Sequence, residues 1–145
     1  MTMRQSIITD LATGEVTTID LPPLTLDELM QARLTELASQ RWLRETGGIV
    51  VQGMPIKTDR ESQGLLTSAY VMATRDPDFT VRWKIENGLF VEISAALIIM
   101  AGDAVTMHVQ ACFDNEAAHT AALVAAYQAQ DAEALNAIDI GANWP

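Results

Sequence analysis

A chain of 145 residues with 49% apolar content is the size that buries one core, so no second domain is expected. Nineteen acidic residues against nine basic ones leave a net charge of −10, which disfavours nucleic acid and anionic membrane as partners, because both are held by clustered Lys and Arg. The single cysteine, Cys112, rules out an internal disulfide and fits a reducing compartment.

The first sixteen residues carry one arginine and no apolar signal segment, so export by the general route is not expected and the chain is expected to stay in the cytoplasm where it is made. Two β-like runs follow, Ser6 to Thr9 and Glu15 to Leu21, on either side of a turn built from Asp10, Thr13 and Gly14. A lone two-stranded ribbon is marginal in water, so this one lies on the main body or on another chain. Pro22 and Pro23 deny two backbone donors and fix an extended path, which makes residues 1–22 an arm in front of one domain, 23–145. The arm's apolar residues Ile7, Ile8, Val16 and Ile19 are candidate partner contacts.

Thr25 and Glu28 have the spacing of a capping box, and Leu26, Leu29, Met30, Leu34, Leu37 and Ala38 form one apolar stripe on the helix they open. That helix is expected to stop near Thr46, before Gly47 and Gly48. Arg33, Arg41 and Arg44 fall on its other sides, where a solvated face is expected ahead of an anion site. Next, Ile49–Val51 and Met54–Lys57 read as a hairpin turning at Gln52-Gly53. Either Thr58 (with Glu61) or Asp59 (with Ser62) caps the second helix, whose predicted buried face is Leu65, Leu66, Ala69, Tyr70 and Ala73.

Asp76-Pro77-Asp78 ends that helix, and residues 80–93 read as another hairpin. A two-residue Asn87-Gly88 loop would set Trp83 against Glu92. A three-residue loop with Gly88 left-handed instead pairs Ile85 with Leu89, Trp83 with Val91 and Val81 with Ile93, so one face becomes wholly apolar. Ser94 is placed to cap a helical pattern that reaches Leu123, with Gly102-Asp103 as its natural break, so it is read as one kinked helix or two. Its longest apolar run, 94–101, falls short of the roughly 20 residues of a membrane span. Asp131 caps a last short helix, and Trp144 either packs back on the body or marks a partner contact. The class is therefore α+β: an N-terminal β-hairpin arm, then two β-hairpins packed against three to four helices.

No constellation of reactive residues stands out. His108, Cys112, Glu116 and His119 line one side of a helix, but a single helix aims two adjacent groups at one ion and not four, and no second Cys/His cluster exists. No nucleophile elbow is present, the Asp59-Arg60-Glu61 run fits a helix start, and Gly47, Gly48 and Gly53 are too sparse to cradle a phosphate. Neither cofactor nor metal nor enzymatic turnover is expected.

Three stretches carry a resemblance: GMPIKTDRES at 53–62, WKIENGLFVEIS at 83–94 and HVQACFDNEA at 108–117. Over roughly 25–137 the chain resembles DUF4376, a domain of unknown function found in tail proteins of bacteriophages and prophages. The DLATGE turn at 10–15 and the Asn143-Trp144-Pro145 ending are similar to those of short tail-associated proteins. The resemblance implies a virion tail, tail-fibre or baseplate component whose partners are other tail subunits, or a chaperone for fibre assembly. It implies three-fold self-association as the favoured oligomer and assigns no active residue. A small metal-binding protein is the remaining alternative.

Overall fold

The computed structural model describes residues 4–84 and 88–145. Strands β1 (Arg4–Thr9) and β2 (Val16–Leu21) pair antiparallel as the arm, with Ser6 opposite Ile19 and Ile8 opposite Thr17. Asp10 builds the turn between them: its Oδ1 accepts from the amides of Ala12 and Thr13 at 2.7 and 3.1 Å, and Gly14 takes a φ of 71°. Those donated hydrogen bonds hold the Asp10 carboxyl below its ordinary pKa.

Helix α1 (Leu26–Glu45) starts from the expected capping box, the Thr25 amide donating to Glu28 Oε2 at 2.8 Å while Thr25 Oγ1 accepts from the Glu28 amide. It ends at Thr46. Strands β3 (Ile49–Val51) and β4 (Met54–Ile56) form the next hairpin, with Gln52 and Gly53 both at positive φ as a tight mirror-image turn requires. Of the two candidate caps for α2 (Arg60–Arg75), Asp59 is used: its two oxygens accept from the amide and hydroxyl of Ser62. Thr58 turns inward instead, fully buried, and its Oγ1 accepts from the Gly48 amide at 2.9 Å. Leu66, Ala69 and Ala73 are buried as predicted, but Leu65 is 58% exposed. It stands about 100° round the helix from Leu66, which puts it off the stripe.

Strands β5 (Thr80–Lys84) and β6 (Phe90–Ser94) adopt the bulged register, Trp83 opposite Val91 and Val81 opposite Ile93, with Gly88 at φ 80°. The predicted Ile85–Leu89 pair falls outside the described residues. Ser94 then caps α3 (Ala95–Gln128), one continuous helix of 34 residues. The predicted break at Gly102-Asp103 does not occur. Gly102 is there because the Tyr70 ring of α2 lies on it, and the Tyr70 hydroxyl donates to Asp103 Oδ1 at 2.8 Å. Asp131 caps α4 (Ala132–Ala137).

Helix α3 is the axle of the body. Its first half packs Ile98, Ala101 and Val105 with Leu66, Ala69 and Ala73 of α2 and Ile93 of β6. Its second half packs Leu123 with Met30 and Leu37 of α1 and Leu135 of α4. Among the described residues α3 is the one helix long and apolar enough to cross a membrane by length and composition, a property the 94–101 run alone does not have. Here its stripe of Ile98, Ala101, Val105, Cys112 and Leu123 is buried against the other elements.

Candidate functional site

Among the described residues the arm holds the largest group of exposed large apolar side chains. Ile7 is 69% exposed, Ile8 52%, Val16 60% and Ile19 40%, and none enters either apolar cluster of the body. The register divides them between faces: Ile8 and Ile19 share one, Ile7 and Val16 the other. As a sheet of two strands, the arm also leaves the outer edge of each strand open for pairing. Trp144, placed with these residues by sequence, is elsewhere: half-buried against the α1–α3–α4 cluster, its Nε1–H donating to the Ile140 carbonyl at 2.9 Å and its ring 6.1 Å from that of His119. It packs on its own body.

The chemistry-bearing side chains are committed inside the molecule. His108 Nε2 lies 3.0 Å from the Arg44 carbonyl and His119 Nε2 3.1 Å from that of Ala142. A carbonyl only accepts, so each Nε2 carries its proton and cannot serve as a base or metal ligand there. Cys112 is fully buried 3.8 Å from His108 Nε2. Burial pushes its thiol pKa up, Glu45 adds to the rise, and Arg41 and Arg44 oppose it. Glu116 pairs with Arg41 Nε at 2.9 Å. Among the described residues no three His, Cys, Asp or Glu side chains converge as a metal set.

The expected solvated arginine face is also corrected. Only Arg44 is exposed; the side chains of Arg33 and Arg41 retain 14% and 15% of their exposure. Arg33 donates to the Ile138 carbonyl, tying α1 to the residue after α4. Arg41 stacks 4.6 Å above the Phe113 ring and pairs with Glu45 and Glu116. Glu45 is itself wholly buried, and Arg60 of α2 closes on its other oxygen at 2.8 Å. These groups bind three helices together. Sequence reasoning missed Glu45, although its position four residues after Arg41 was a usable signal.

A family model described as a domain of unknown function (DUF4376) matches residues 28–141. The chain belongs to this family. Its match runs from the first turn of α1 to just beyond α4, beginning three residues later and ending four residues later than the resemblance. The arm lies outside the DUF4376 segment, as does Trp144. Comparison with curated proteins and with solved structures returned no match.

Proposed function

We propose that this DUF4376 protein acts by contact and not by turnover, as a structural or interaction component of a phage tail that attaches to a tail-fibre or baseplate subunit through its arm. The observation that carries the reading is the arm: a ribbon with exposed apolar residues on both faces and two open edges, in front of a body whose core is complete without it. Strand addition to another subunit would satisfy those edges and cover those side chains. The internal engagement of His108, His119, Cys112, Glu45 and Glu116 supports a non-enzymatic reading. The place of action is the virion tail after assembly in the host cytoplasm, with a trimer as the favoured state.

Quantitative mass spectrometry of purified particles tests this. Stoichiometric presence is expected, and deletion of residues 1–21 should abolish incorporation while leaving the far-UV circular dichroism and melting of the body unchanged. Absence from particles, with recovery on newly made fibre subunits, would assign the protein to fibre assembly instead. Normal incorporation of the arm-deleted chain would remove the arm as the attachment device.

A further inference from the structure

Between the β3–β4 hairpin and the β5–β6 hairpin lies a cleft of about 520 Å³. Its floor is apolar, formed by Ile49, Ile56, Trp83 and Ile93, and its volume and character are those of small-molecule sites. The chain contains two lysines, Lys57 and Lys84, and both line this cleft. Among the described residues neither forms an ion pair, a state they share with Arg44, Arg75 and Arg82, none of which lines this cleft.

The other polar groups of the wall are spent on the fold. Both Asp59 oxygens accept from Ser62, the Gly48 amide donates to Thr58 Oγ1, the Gly47 amide to the Arg44 carbonyl, and the Thr46 hydroxyl to the Trp42 carbonyl. What remains is an apolar floor with two cations beside it, which outnumber the one carboxylate of the wall, Asp59. In a chain of net charge −10, gathering every lysine at one cleft serves no general purpose of solubility.

The geometry points to a binding site for a small apolar anion: one aromatic or branched aliphatic body lying on Trp83 and the isoleucines, with one carboxylate, sulfonate or phosphate group held by Lys57 and Lys84. Lysine suits this duty, since its ammonium is a point charge on a long stem that reaches different anionic groups without fixed geometry. The site goes beyond the attachment role and does not involve the arm.

The test uses the full chain at about 20 mM salt, where exposed charges act at longer range. The probes are 8-anilinonaphthalene-1-sulfonate and its uncharged counterpart N-phenyl-1-naphthylamine, titrated by fluorescence. Variants are K57Q/K84Q and, as a control for net charge, R75Q. For the sulfonate, the double variant should raise Kd about five- to tenfold, the worth of two exposed ion pairs, and R75Q should leave it within about twofold. The neutral probe should bind both lysine forms alike, and in a W42F/W144F background, where Trp83 is the one tryptophan left, the bound probe should still draw energy transfer. Phosphate- and carboxylate-bearing naphthalenes then identify the preferred anionic group. No binding of the sulfonate, equal weakening in R75Q, an unchanged Kd in K57Q/K84Q, or no transfer in the W42F/W144F protein would each overturn the proposal.

Discussion

Replacing Gly102 by alanine sets helix propensity against packing. In the interior of a helix the exchange is intrinsically favourable by about 0.8–1.0 kcal/mol. At Gly102 a new Cβ would stand 3.0 Å from Tyr70 Cε2 and 3.3 Å from Cγ, and closer still to Cδ2. Carbon atoms pack at about 3.5–4.0 Å, so the ring must leave or the helices must part. If the ring swings out, its hydroxyl also leaves Asp103 Oδ1. Overpacking costs about 1–3 kcal/mol, and a ring carbon closer than 3.0 Å belongs to the upper half of that range, about 2–3, so the net expectation after the propensity gain is a loss of about 1–2 kcal/mol.

Thermal melts followed by circular dichroism should place G102A about 3–8 °C below the parent, from the usual shift for a domain of this length. Gly64 of α2 is the internal control. It is exposed, with nothing within 4 Å of its virtual Cβ, so G64A should gain about 0.5–1 kcal/mol. In a Y70A background the penalty at Gly102 should vanish and the alanine should become stabilising, a coupling that a double-mutant cycle isolates. A G102A protein melting at or above the parent would refute the packing of Tyr70 on α3.

Other substitutions probe the buried polar groups. Glu45→Ala removes a wholly buried carboxylate that holds Arg41 and Arg60, and urea titration should show a loss of about 3 kcal/mol, the low end for breaking a buried pair because Arg41 keeps Glu116. Thr58→Val keeps the shape but strips the acceptor from the Gly48 amide, and should cost about 1–3 kcal/mol on the same scale. Cys112 should resist thiol reagents at about pH 8 in the native state and react at once in denaturant, since the thiolate is the reactive form. Its folded pKa lies above the unfolded value, so the associated stability is intact below about pH 8.5 and lost as pH rises past it. Tyr70 and Tyr127, raised by hydrogen bonds to Asp103 and Asp27, act in the same direction above about pH 10, and melting temperature against pH reads the decline.

Where one residue type dictates local geometry, the structure follows the sequence closely. The Thr25–Glu28 box, the Gln52-Gly53 turn, the bulged Trp83–Val91 register and the Ser94 and Asp131 caps each rest on a short-range hydrogen bond or a positive φ that few residues allow. What stayed hidden depends on a distant partner. Gly102 reads as a helix break until Tyr70, 32 residues earlier, is seen to occupy the space its side chain would need. Arg41 reads as solvated because two of its three contacts, Phe113 and Glu116, are more than 70 positions away, and only Glu45 lies within a helical turn. The cleft was invisible for the same reason: Lys57 follows β4 and Lys84 ends β5, separate strands that only the fold sets together.

If the arm is the attachment device proposed above, its register bears on how a partner would hold it. Were the ribbon made to lie flat on one surface, its apolar residues would share a face, as they do in β5 and β6. They do not: Ile8 and Ile19 are diagonal neighbours on one face and Ile7 and Val16 on the other, each pair about 7–8 Å apart. Laying down either face would leave the other pair in water, at about 1.5–3 kcal/mol of forgone burial per side chain. A groove closing on both faces, such as one between two subunits, covers all four. Ile7→Lys and Ile8→Lys should therefore impair incorporation into particles to a similar degree, each leaving an uncompensated charge in an enclosed site. If one abolishes incorporation and the other leaves it intact, the ribbon is bound flat and the clasp is excluded.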